Sequence, residues 1–199
     1  MAAVDDNLRR RVQCNLAGFE PVRLDAPDYR HAAVGIVLLD DPAGQACFVL
    51  TLRHAGLRRH AGQYALPGGR LDPGETPRQA VLREIHEEIG LVLGPEAVLG
   101  ELDDFATRSG HLITPLAVWA GPGAPLASNP DEVEAAFRVP LAELDRADNP
   151  RLSPLIHFAL RDHTVYAPTA AILYQFREVA LHGRPTRVAH FEQPLFAWR

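Results

Sequence analysis

The stretch Gly69 to Leu91, GRLDPGETPRQAVLREIHEEIGL, decides the reading of this chain. Glu75 follows Gly69 after five residues, and after seven more comes Arg83-Glu84-Ile85-His86-Glu87-Glu88-Ile89-Gly90-Leu91. Pro77 stands where a first helical turn tolerates proline and Gly90 where a helix would stop, so the spacing predicts one helix from about Thr76 to Ile89. At about 100° per residue, Glu84, Glu87 and Glu88 share one arc, while Val81, Leu82, Ile85 and Ile89 fall on another. One face is expected in the core, and the other to carry the three carboxylates. Adjacent like charges repel, so the pattern reads either as a solvated acidic face or as a holder for a cation. Oxygen donors without neighbouring cysteines favour Mg²⁺ or Mn²⁺, with substrate phosphate and water completing the shell. Such an ion can template a pyrophosphate and neutralise the leaving phosphate, which implies a phosphate ester or anhydride as substrate.

The run satisfies every position of G-x5-E-x7-R-E-U-x-E-E-x-G-U, where U is a bulky aliphatic residue. At about 7% usage per fixed residue, a chance match in such a chain has a probability on the order of 10⁻⁷. This is the signature of the Nudix hydrolases, and the chain resembles that family. The resemblance implies an α/β/α sandwich with a central mixed sheet, where the aliphatic pattern alone justifies only a mixed α/β domain. It also implies roles: Glu84, Glu87 and Glu88 as metal ligands, with Glu84 alternatively the base, and the backbone carbonyl of Gly68 as a further ligand. Arg83 and Glu75 either orient the cluster through an ion pair or take part in the reaction. Gly68 and Gly69 read as backbone devices that permit φ > 0 and close approach, and Gly90 as the helix stop.

Upstream, Leu50-Thr51-Leu52-Arg53, then Arg58, Gly62 and Leu66-Pro67-Gly68-Gly69, resemble the extra motif of coenzyme A pyrophosphatases, L-L-T-x-R-[SA]-x3-R-x3-G-x3-F-P-G-G. Val49 and Leu66 stand in as apolar substitutes, and His54 replaces the small residue. The fuller form, LR-x-H-x-G-Q, is visible in Leu57-Arg58-Arg59-His60-Ala61-Gly62-Gln63. Arg53, Arg58, Arg59, His60 and Arg70 form a local basic cluster in a chain of net charge −5. Arginine forks suit phosphate oxygens, so Arg53, Arg58 and Arg70, with the Gly68-Gly69 backbone, are the expected substrate contacts. The other reading of these cations is a solvated basic loop. The resemblance implies cleavage of coenzyme A or a derivative to 4′-phosphopantetheine and adenosine 3′,5′-bisphosphate. Other nucleoside diphosphate derivatives, such as ADP-sugars, dinucleotides or triphosphates, are the alternative. A non-catalytic nucleotide sensor would be expected to carry a degenerate box, and this one is intact.

Ser128-Asn129-Pro130-Asp131-Glu132-Val133-Glu134, with Phe137 and Val139-Pro140-Leu141, resembles the acidic loop and following strand of the same subfamily. Glu132 or Glu134 is thereby a candidate distal carboxylate, as base or second-metal ligand, or simply a loop acid. Tyr166-Ala167-Pro168-Thr169-Ala170-Ala171-Ile172 sits where those enzymes show W-G-x-T-A-x-I, with Tyr-Ala replacing Trp-Gly.

The chain has 199 residues, 47% hydrophobic and 23% charged, which suits one globular domain over 1–199, with 1–28 as an N-terminal helix and lead-in. Leu8, Val12 and Leu16, four apart, predict an amphipathic helix over Asp6–Leu16. His31–Leu39 and Ala46–Arg53 are β-rich runs flanking the turn Asp41-Pro42-Ala43-Gly44, and Leu112–Trp119 is a further strand. Pro168 argues against an extended Thr164–Leu173, and a late helix is expected within Ala170–Leu181. Without a long apolar run, secretory start or lipidation signal, the expectation is a soluble cytoplasmic protein away from membranes. Cys14 and Cys47 offer neither a metal pair nor a disulfide framework. An acidic chain lacks the broad basic surface that nucleic acid requires, so the expected partner is a small nucleotide; Nudix dimers are common, and the sequence leaves monomer and homodimer both open.

Overall fold

The computed structural model describes residues 3–54, 63–152, 155–160 and 163–194. In chain order these form α1 (Asp6–Ala17), β1 (Arg30–Asp40), β2 (Ala46–Arg53), β3 (Tyr64–Ala65), β4 (Gly68–Arg70) and α2 (Pro77–Ile89). There follow β5 (Val98–Glu101), β6 (Phe105–Ala106), β7 (His111–Gly121), β8 (Val133–Pro140), β9 (His157–Leu160), β10 (His163–Tyr166) and α3 (Thr169–Phe176). The helix that the signature predicts spans Pro77–Ile89, with Thr76 as its cap.

Alternation along the strands sets the layers, because successive side chains leave a strand on opposite faces. On β1, Ala33, Val37 and Leu39 pack on the α2 side with Val81, Ile85 and Ile89, while Ile36 and Leu38 enter the larger core of α1 and α3. On β2, Val49 faces α2, and Phe48 and Leu50 face the other way. Gly35 lies directly beneath α2, where an added Cβ would sit 3.0 Å from both Ile85 Cδ1 and Val81 Cγ2. Each of these buried aliphatic side chains contributes about 1.5–3 kcal/mol as an upper estimate, so the helix is pinned to the sheet by its apolar arc.

The sheet order is β3-β2-β1-β7-β5, with β4 on β1, β6 on β7 and β8 on β2. β1 and β7 are parallel and the other pairs antiparallel, which makes the sheet mixed. With α2 on one face and α1 and α3 on the other, this is the α/β fold with a central mixed sheet. The expected turn at Asp41–Gly44 joins β1 and β2 as a hairpin, Leu38 opposite Phe48, and is tied by Asp41 Oδ1, which accepts from the Ala43 and Gln45 amides.

α1 starts at Asp5, whose side chain accepts from the Leu8 amide, and buries Leu8, Val12 and Leu16. The late helix begins at Thr169 and widens into a π-helical turn over Arg177–Leu181, the His182 amide bonding the Arg177 carbonyl five residues back. Neither cysteine forms a disulfide, Cys14 being exposed and Cys47 buried. Among the described residues no helix is long and apolar enough to cross a membrane.

Candidate active site

The ends of α2 are fixed by local chemistry. Thr76 and Gln79 form a reciprocal capping box, the Thr76 hydroxyl accepting from the Gln79 amide and Gln79 Oε1 accepting from the Thr76 amide at 2.9 Å. Gly90, at φ 72°, closes the last turn in the left-handed region. Between the caps, the buried residues are Ala80, Val81, Ile85, Glu88 and Ile89. The single outward arc of glutamates is therefore corrected: the Glu88 side chain is 3% exposed, Glu84 14% and Glu87 46%. Leu82, expected in the core, is only half-buried. The cause is β4, which runs beside α2 and covers the flank that carries Glu84 and Glu88.

β4 pairs with β1 so that Gly69 lies opposite Ala33. The Leu71 amide bonds His31 O and the Gly35 amide bonds Pro67 O, which makes Gly68 and Arg70 the outward-facing positions of this ladder. The Gly68 amide donates to Glu88 Oε2 at 3.0 Å, and the Arg70 carbonyl accepts from Arg83 Nη2 at 3.0 Å. Gly68 needs to be glycine: its φ is 150°, and an added Cβ would stand 2.2 Å from Ala33 O. Of the two expectations for Gly69, positive φ and close approach, the structure bears out only the second. Gly69 is not among the positive-φ glycines, but an added Cβ would meet Glu84 Oε1 at 2.2 Å, because the carboxylate lies on the bare Cα. Gly69→Ala is expected to displace Glu84 and lower kcat/KM by roughly 10- to 100-fold, the usual scale for disturbing a ligand's support. Unfolding midpoints should stay near the parent's, and an unchanged kcat/KM would contradict this packing role.

Arg83 is the hub. Its Nε and Nη2 grip Glu75 at 3.0 and 2.9 Å, Nη1 reaches Glu84 at 2.9 Å and Glu87 at 3.0 Å, and Nη2 also holds the Arg70 carbonyl. All five guanidinium N–H groups are thus engaged, and contact with a phosphate would require giving one up. The Arg83 hydrogen bonds hold the Glu75 carboxyl below its ordinary value against the opposing effect of burial. The same bonds, Glu75 first, push the guanidinium pKa up.

Glu84 and Glu88 both shift the opposite way to Glu75. Burial pushes the Glu84 carboxyl up despite Arg83, and the charges of Glu87 and Glu132 add to the shift. Burial pushes Glu88 up to about 7, outweighing the Gly68 amide and Arg53, with Glu84 and Glu132 adding to it. Arg53 Nη1 stands 3.3 Å from Glu88 Oε1. Arg53, expected at the substrate's phosphates, is in this structure the partner of a buried glutamate.

The distal acid is brought in by a bulge. The β2–β8 register shifts between Leu52 and Arg53, so that Leu52 faces Ala135 and Arg53 faces Val133, and the His54 amide donates to Glu132 O at 3.1 Å. The same loop closes the end of α2, the Asn129 amide on Glu88 O and the Ala127 amide on Ile89 O, each at 3.0 Å. Glu132 thereby acts on both Glu84 and Glu88, while Glu134 is exposed on β8. Asn129 was not among the candidates, although Asn-Pro is a turn signal that marks it. The Arg70 side chain is exposed. Arg58, with Arg59 and His60, lies outside the described residues.

Among the described residues, no three acidic, histidine or cysteine side chains converge to ligate one ion in this arrangement. Arg83 Nη1 stands between Glu84 and Glu87 as a bridging cation. The donor set nevertheless fits a hard divalent ion: a buried carboxylate (Glu88) and a half-buried one (Glu84), both pushed towards protonation and acted on by Glu132, lack sufficient counter-charge.

The NUDIX domain family model matches residues 29–158. The chain belongs to the Nudix family. A Nudix hydrolase of Photorhabdus laumondii, NudL, described as uncharacterized, is 35% identical over 168 residues, covering 79% of this chain and 88% of that protein. NudL of an Escherichia coli strain is 38% identical over 117 residues, 58% of this chain and 60% of the relative. Among solved structures, a MutT/nudix family protein from Enterococcus faecalis matches with TM-score 0.49 and 18% identity, covering 82% of this chain and 63% of that one. The chain is thus a Nudix hydrolase, a pyrophosphatase acting on phosphoric anhydrides, with a nucleoside diphosphate derivative as substrate. Nudix enzymes typically depend on a divalent metal.

Proposed function

We propose that this Nudix hydrolase cleaves the pyrophosphate of coenzyme A or a derivative, giving 4′-phosphopantetheine and adenosine 3′,5′-bisphosphate. The observation that supports this reading is the meeting of two motifs on one carboxylate. Arg53 and Gly68, from the segment that resembles coenzyme A pyrophosphatases, both contact Glu88 of the Nudix helix. Residues matching the subfamily motif and residues matching the catalytic box therefore border the same site.

Glu84 and Glu88, with Glu87 and the Gly68 carbonyl at the margin, would hold Mg²⁺ or Mn²⁺. Bound there, the cation would neutralise charge on the anhydride and lower the pKa of water. Arg83 and Glu75 orient Glu84 and Glu87 rather than reacting. Glu132 accepts the proton of the attacking water, because Arg83 holds Glu75, Glu84 and Glu87, and Glu88, bonded by the Gly68 amide, would be taken up by the cation. Water attacks phosphorus directly, with no covalent phosphoryl-enzyme. The whole chain works as one catalytic domain in the cytoplasm, alone or as a homodimer.

Product analysis on coenzyme A, dephospho-coenzyme A, ADP-ribose, NADH, diadenosine polyphosphates and nucleoside triphosphates, each with Mg²⁺ and Mn²⁺, tests the substrate. Coenzyme A should exceed dephospho-coenzyme A by about tenfold in kcat/KM, the scale of one charge-assisted hydrogen bond to the 3′-phosphate. A second reading, another nucleoside diphosphate derivative, is favoured by the pairing of Arg53 with Glu88, which occupies one arginine expected at that phosphate. Equal kcat/KM values, or preference for ADP-ribose, would establish it.

A further inference from the structure

We propose that Arg53 is the resident counter-cation of Glu88 and a positioning residue for the reaction: its guanidinium holds that carboxylate until a divalent cation takes it over, and then turns to the substrate's phosphates. The inference rests on Glu84 and Glu88 being the cation's ligands.

The two arginines of the site differ in how firmly they are held. Arg83 uses every donor on its partners. Arg53, among the described residues, reaches Glu88 through Nη1 at 3.3 Å, longer than the roughly 2.7–2.9 Å of a strong charged hydrogen bond. Its side chain is 29% exposed, against 3% for Glu88, so one end of the pair is buried and the other opens to solvent. The bulge between β2 and β8 sets Arg53 opposite Val133, next to Glu132, and so on the rim of the carboxylate cluster.

Arg53 thus stands where it can lean either onto Glu88 or away from it. A buried glutamate without any cation is costly, and Arg53 offsets part of that cost when no metal is present. A divalent ion at the same carboxylate attracts it more strongly and repels the guanidinium, which leaves Arg53 charged, desolvated on one side and unpaired. A phosphate oxygen is the partner that suits it in that state. The consequence is ordered coupling: cation and Arg53 compete for Glu88, and the substrate gains Arg53 only once the cation has arrived.

Substrate-free Mn²⁺ binding, followed by electron paramagnetic resonance, measures this competition without turnover. Arg53→Ala should bind Mn²⁺ about tenfold more tightly than the parent, within the usual range of site–site coupling. Arg53→Lys, which keeps the charge, should return towards the parent. In the parent itself, the side-chain ¹⁵Nε signal of Arg53, assigned by its loss in Arg53→Lys, should shift as Mg²⁺ is added and stay still in Glu88→Gln; this arm decides if Arg53→Ala does not fold. Unchanged or weaker Mn²⁺ affinity in Arg53→Ala, or a static Arg53 signal, overturns the proposal. Loss of Mn²⁺ binding in Glu88→Gln would then still uphold the cation site, whereas a parent that binds no Mn²⁺ overturns both.

Discussion

Glu88→Gln and Glu84→Gln are each expected to lower kcat by roughly two to three orders of magnitude, the scale of losing a group that stabilises transition-state charge, with the fold intact. Glutamine keeps the shape and an oxygen for the Gly68 amide, so the bond that ties α2 to β4 survives at residue 88. What disappears is the negative charge that a cation needs. Glu87→Gln should cost less, because Glu87 is half exposed and its oxygen is already shared with Arg83. Single-turnover rates at saturating Mg²⁺, with circular dichroism to confirm folding, check both statements. Near-parent rates in Glu84→Gln and Glu88→Gln would remove these residues from the cation site and leave Arg83 with a purely structural cluster.

Local signals were legible in the sequence. Pro77 and Gly90 marked the ends of α2 almost to the residue, because terminal signals act within one turn. The apolar runs around Asp41–Gly44 likewise marked the β1–β2 hairpin. The burial of Glu88 was not legible. A helical wheel places Glu84, Glu87 and Glu88 on one arc but does not say which neighbour covers that arc, and here β4 covers part of it. The role of Gly69 depends on the same contact, since the carboxylate it accommodates is folded back onto it from α2. The Arg53–Glu88 pair joins residues 35 apart through a sheet and a bulge, and no spacing rule connects them. The parallel pairing of β1 with β7 was hidden for a related reason: alternation identifies a strand's faces and leaves its partners open.

The metal-free protein is expected to lose stability as pH rises from about 4.5, the ordinary value of a glutamate, to the value of about 7 at Glu88. The folded state holds the Glu88 proton more tightly than the unfolded chain does. Stability from that proton is therefore complete below the unfolded value and is lost as pH climbs through the folded one. The shift corresponds to roughly 3–4 kcal/mol across the window, since each unit is worth about 1.4 kcal/mol. Glu84, also pushed up by burial, acts in the same direction. Glu75, held low by Arg83, acts in the opposite sense: its contribution is present above the ordinary carboxylate value and fades as the solution is acidified below it. Urea midpoints in EDTA at pH 5 and pH 7.5 should thus fall for the parent, while Glu88→Gln, which has no proton to release, should show a much flatter profile. Mg²⁺ should counteract the parent's loss, because ligation requires the deprotonated carboxylate and the bound ion stabilises only the folded chain. Parallel profiles for parent and Glu88→Gln would mean that Glu88 meets water in the folded state and that burial does not set its charge.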